Sequence, residues 1–129
     1  MNKKTLPPAF ENMLNFAKAY FNQSFDEKYE YHQCLVIKTA DGKENLYPFT
    51  CNSVRELIDQ SISMLHKENI TTVTNIICMW KGGAVDVPSH QFVKKLCEIN
   101  PENKNAEILL NSSPTSYTYT TKKISDILK

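Results

Sequence analysis

A chain of 129 residues and 14.8 kDa has room for one domain, spanning residues 1–129, rather than two. At that size about two-thirds of the unfolded surface is buried on folding, so neither a metal nor a disulfide is needed as a staple. With 41% hydrophobic and 22% charged residues, the composition excludes a disordered or collagen-like chain. Fifteen basic side chains against 14 acidic ones leave a net charge of +1, and Arg55 is the only arginine. Broad attraction to nucleic acid and bidentate phosphate or guanine readout are both poorly supplied.

After Pro7-Pro8, apolar residues at Phe10, Met13, Leu14, Ala17, Tyr20 and Phe21 have the three-and-four spacing of a helix with one buried stripe. From Tyr31 the period changes. Gln33 to Thr39 is rich in strand formers, Asp41-Gly42 suits a tight turn, and Glu44 to Thr50 returns as a second strand. Pro48 cannot donate a ladder hydrogen bond, which puts that second strand at a sheet edge. Val54, Leu57, Ile58, Ser61, Ile62 and Leu65 then form a second helical stripe. Ser53 with Glu56 three residues later reads as a capping box, so this helix starts at Val54.

Val73 to Trp80 is a nearly continuous apolar strand, expected to be covered on both faces, and Lys81-Gly82-Gly83 ends it. Pro88-Ser89 signals a third helix, with Phe92, Val93, Leu96 and Cys97 as its stripe and Asn100-Pro101 as its stop. Ala106 to Asn111 reads as a fourth strand, Tyr117 to Thr120 as a half-exposed fifth, and Ile124, Ile127 and Leu128 as a short closing helix. Intervening helices imply crossovers with the first, third and fourth strands parallel. The fold class is therefore α/β, a three-layer α/β/α sandwich on a mixed five-stranded sheet of order 2-1-3-4-5.

The longest strongly apolar run, Ile76 to Trp80, is far short of the ~20 residues of a membrane span. The basic start at Lys3-Lys4 lacks the apolar core of a signal peptide, so a cytoplasmic protein is expected. Cys34, Cys51, Cys78 and Cys97 are scattered with no Cys-x-x-Cys pair, the pattern of buried small hydrophobes.

This order of elements resembles the cytidine deaminase-like fold over nearly the whole chain, most specifically at Ser53 to Ile62 and Val87 to Leu96. In that family the first helix start carries a His/Cys-Ala-Glu motif and the second a Pro-Cys-x-x-Cys motif. Their three soft ligands hold a zinc ion and the glutamate moves the proton of its water. Here Val54-Arg55-Glu56 and Pro88-Ser89-His90-Gln91-Phe92 fall at those places, and only Glu56 and Pro88 match. Lys43-Glu44-Asn45 does not cleanly reproduce the ribose-holding asparagine and glutamate common in nucleoside deaminases of the family. The resemblance thus implies a degenerate member with the fold but without the zinc site, no cofactor, and a catalytically inactive binding or assembly module. Deaminase-like domains commonly form dimers or tetramers, so it also implies a homo-oligomer.

Two kinds of site follow. Val54, Trp80, Ser89 and Phe92, with Tyr47 and Phe49, are candidates for a cleft at the carboxyl ends of the strands, able to hold a small planar ligand, a nucleoside or base. The alternative is a hydrolase or deaminase with a rebuilt metal or cysteine site: Cys51 and His90, with relic Glu56 or Asp86 as a further group, Cys51 drawing thiolate character from a helix start and His90 serving as base. Glu56 is equally explained by capping alone. His32 and His66 are read as surface or strand-end residues without a role.

Overall fold

Strand β1 (Tyr31–Thr39) divides the molecule. Because strand side chains alternate, Cys34 and Val36 point to one side of the sheet and Leu35 and Ile37 to the other. The first side packs on Phe10, Met13, Leu14 and Ala17, carried by a 3-10 turn (Pro8–Phe10) and helix α1 (Glu11–Tyr20). The second packs on Leu57 and Leu65 of α2 (Val54–Lys67) and on Phe92, Val93 and Leu96 of α3 (His90–Ile99). Three layers result, as the hydrophobic periodicity predicts. The computed structural model describes residues 6–23, 25, 28–111 and 118–128.

The sheet runs β2-β1-β3-β5-β6, where β2 is Glu44–Cys51, β3 Val73–Trp80, β5 Glu107–Asn111 and β6 Tyr119–Lys123. These are the five expected strands in the expected order, and the strand carrying Pro48 is an edge. A sixth strand, β4 (Val85–Asp86), hairpins back onto β3 through Gly82 and Gly83, both at positive φ. Two residues are too few for an alternation to be visible in sequence.

The predicted directions need one correction. β3 and β5 are parallel, but β1 pairs antiparallel with β3 as well as with β2. The strand that leads into α2 is β2, so the crossover rule binds β2 to β3. β1 lies between them and opposes both. Of the expected fifth strand, Tyr117 lies outside the described residues, and the pairing begins at Tyr119. The closing helix α4 (Ile124–Ile127) buries Ile124 on the α2/α3 side.

Local chemistry sets the ends of these elements. α2 closes with Asn69 at φ 53°, its N–H donating to the His66 carbonyl and that of Ile70 to the Leu65 carbonyl. This is a Schellman stop, with Asn in the left-handed position usually given to Gly. Fully buried Asn103 pins the start of β3: its Oδ1 accepts from the Val73 N–H, and its Nδ2 donates to the carbonyls of Thr71 and Leu96, all at 2.8 Å. Among the described residues no helix is long and apolar enough to cross a membrane.

Candidate ligand cleft between two helix starts

Helices α2 and α3 both begin at the end of the sheet formed by the carboxyl ends of β2 and β3 and the amino end of β1. Each is capped by a serine. Ser53 Oγ accepts the Glu56 N–H and Ser89 Oγ the Phe92 N–H, both at 3.1 Å. The cap of α2 is one-sided, since the exposed Glu56 carboxylate makes no return bond.

Between the two starts lies a cavity of about 180 Å³. Its floor is the sheet: Gln33 and Leu35 of β1, and Trp80 of β3, which stands opposite Gln33 in the ladder. One wall is α2, whose Val54, Leu57, Ile58 and Ser61 are spaced to share one helix face. The other is the approach to α3, Val87, Pro88 and Ser89, with Phe92 one turn in. Val54, 47% exposed, stands where the cavity meets solvent. Val54, Trp80, Ser89 and Phe92 thus line a single space.

Among the described residues, no ionisable side chain lines it. The Ser61 hydroxyl is occupied, donating to the Ile58 carbonyl at 2.8 Å, and that of Ser89 accepts the capping bond. Gln33 differs. It is 7% exposed, and its carboxamide has no hydrogen-bond partner in the protein. Sequence reasoning passed over Gln33, although its spacing from Leu35 and Ile37 places it on the same sheet face as those core residues.

The residues expected for a rebuilt site do not join the cavity. Cys51 is buried at the end of β2, and its Sγ donates to the Ser53 carbonyl at 3.2 Å. Burial pushes its thiol pKa up, against a backbone contact with Ser53 that pulls it down, and the Glu56 carboxylate pushes it further up. Burial thus works against the thiolate character expected of a helix start. Glu56 and His90 are exposed, and Asp86 accepts the Val87 N–H at 2.7 Å. Tyr47 and Phe49 do not reach the cavity. They line a separate groove with Pro48 and Met64, because they stand on the edge strand β2, beyond the β1 and β3 residues that form the cavity floor.

His32 stands near the start of β1, one of the two places expected for it, and is buried there. It is 4% exposed on the α1 side, its ring 4.9 Å from that of Phe25, and neither ring nitrogen has a partner. His66 is exposed on the last turn of α2. All four cysteines are free, three of them buried and Cys97 half-buried.

Solved structures similar to this one include cytidine deaminases. A glutamate-to-aspartate mutant of the Mycobacterium tuberculosis enzyme superposes with a TM-score of 0.62 at 16% identity, over 91% of this chain and 90% of that one. The Mycobacterium leprae cytidine deaminase gives 0.58 at 14% identity, over 89% and 92%. No family model matches the chain, and no curated protein does. The chain therefore has a cytidine deaminase-like fold.

The zinc that such a fold implies does not suit the residues present. Val54 and Phe92 offer no donor atom, and Ser89 Oγ, a poor zinc ligand in any case, holds the cap of α3. Among the described residues, no three His, Cys, Asp or Glu side chains are gathered where they could hold a metal ion.

Proposed function

We propose that this deaminase-like domain is a binding module without catalytic activity, taking a small, uncharged, planar molecule of the nucleobase class between the starts of α2 and α3. The observation that carries this reading is the composition of the cavity wall. Hydrolytic deamination requires a group that activates water and moves protons onto the leaving amine. The wall offers a carboxamide, an indole, two engaged hydroxyls and apolar surface, none of which can activate water. That set suits recognition, because pockets for small molecules are mostly apolar with a few placed polar groups. A phosphate or carboxylate would enter without a countercharge, at a large desolvation cost. We also infer a cytoplasmic setting, since four free thiols suit a reducing compartment.

A thermal-shift series with free bases and nucleosides at millimolar concentration tests the reading. A ligand that binds only the native state raises the melting temperature by mass action, by an amount equivalent to about 2.7 kcal/mol at a hundred times Kd. No shift with any of them would remove the ligand and leave assembly, which light scattering on the purified chain would then have to show as a stable homo-oligomer. Stoichiometric zinc in the purified protein, lost on Cys51→Ala or His90→Ala, would overturn the inactive reading.

A further inference from the structure

We propose that Gln33 is the specificity-determining residue of this cavity and that the molecule it selects is a neutral single ring carrying an amide edge, a –CO–NH– unit or a primary carboxamide. This rests on the cavity being a binding site. It adds which chemistry is recognised and by which residue.

Gln33 occupies a position that the fold would otherwise give to an apolar side chain. Leu35 and Ile37, two and four residues on and on the same sheet face, are both core residues. As a residue Gln33 is 7% exposed, at the outer limit of that core, and its carboxamide makes no hydrogen bond among the described residues. Unlike the ring nitrogens of His32, its polar atoms are not sealed from solvent, so they stay open to a ligand at the cavity wall. Asn103, the other buried carboxamide on this side of the sheet, makes three hydrogen bonds to the backbone. Gln33, unlike Asn103, has its hydrogen-bonding capacity free, at the wall of the cavity.

A carboxamide presents a carbonyl acceptor and an N–H donor side by side in one plane. The partner that satisfies both at once is a second amide edge, whose N–H meets the Gln33 carbonyl and whose carbonyl meets its N–H. The rest of the wall limits what can carry that edge. A volume of about 180 Å³ is below the range of roughly 300–1,000 Å³ typical of pockets for drug-sized ligands, which favours one ring over a nucleotide. The Trp80 indole beside Gln33 and the aliphatic stripe of α2 offer apolar contact to ring faces and edges.

The test is a binding panel on the full chain followed by NMR or calorimetry: 2-pyridone and benzamide as amide-bearing rings, anisole as a neutral ring without an N–H, benzoate as the charged analogue. Wild-type protein is expected to bind 2-pyridone and benzamide at least about tenfold more tightly than anisole or benzoate, because a site built to hydrogen-bond penalises analogues that leave its polar group unpaired. In Gln33→Leu that preference should disappear while anisole still binds.

Equal affinity across the panel, or a preference that survives Gln33→Leu, overturns the role of Gln33 and leaves the cavity reading intact. No binding of any probe at millimolar concentration overturns both. Should Gln33→Leu fold poorly, the wild-type ranking decides by itself, and Gln33→Met supplies a second apolar variant of similar length.

Discussion

Gln33 and His32 are neighbours on β1 that face opposite sides of the sheet; both are buried as residues and neither side chain has a hydrogen-bond partner among the described residues, but only the ring nitrogens of His32 are also sealed from solvent. Gln33 opens onto a cavity between two capped helix starts. His32 lies against Phe25, within an aromatic cluster that includes Tyr20 and Phe21, beside a fully packed face. The contrast teaches that an unpaired buried group points to a ligand only where there is space for one. Without that space, it is a cost carried by the fold. Asn103 completes the comparison as the satisfied case, a buried amide with a purely structural task.

Substitutions can break this ordering, and the largest effect belongs to the satisfied group. Asn103→Ala strands one buried N–H and removes donors from two carbonyls, so a loss of about 3 kcal/mol in a denaturant titration is expected. A loss below half of that would mean that water replaces the side chain. His32→Leu should move stability the other way, by about 1–2 kcal/mol, since it removes two unsatisfied ring nitrogens from an apolar setting. If the variant is destabilised instead, His32 is not the liability described. Ser53→Ala and Ser89→Ala should each cost about 1 kcal/mol by removing a helix cap. Of the two, Ser89→Ala should also alter ligand binding, because its residue alone lines the cavity.

The effect of pH is confined to alkaline conditions. Burial raises the Cys34 thiol from 9.0 to about 12, so the folded state holds its proton after the unfolded chain has lost it. Stability from this group is complete below pH 9 and declines as pH rises toward 12, with a slope that shrinks in Cys34→Ala. A flat melting temperature from pH 8 to 10.5 would show that the thiol ionises freely in the folded chain.

Much of the architecture was legible before any coordinates. The apolar spacing of α1, α2 and α3 marked their buried faces, Ser53 placed the start of α2 at Val54, and Pro48 put β2 at the edge. These signals are local: a period, a cap, a missing donor. The direction of β1 was not legible, because sequence shows that a crossover exists without showing which strand it joins in parallel. β4 escaped for want of length. At the site, Val54, Ser89 and Phe92 could be proposed from their places in the motif pattern, but Gln33 could not, since nothing in a single sequence separates a paired buried glutamine from an unpaired one. Tyr47 and Phe49 occupy the same side of the sheet as the cavity but stand on the edge strand β2, one strand beyond its floor, and a sequence does not show how far across a sheet a cavity extends.

The sequence by itself determined the layers, the order of the strands and the lack of a donor atom in Val54 and Phe92 at the two helix starts, because periodicity, capping chemistry and donor atoms are properties of the residues. Only the tertiary structure decided that residues from β1, β3, α2 and the approach to α3 enclose one neutral cavity, that Cys51 and His90 stand outside it, and that Gln33 is left free beside Trp80. Enclosure and hydrogen-bond satisfaction depend on what distant segments bring to the same point, and that is settled by packing.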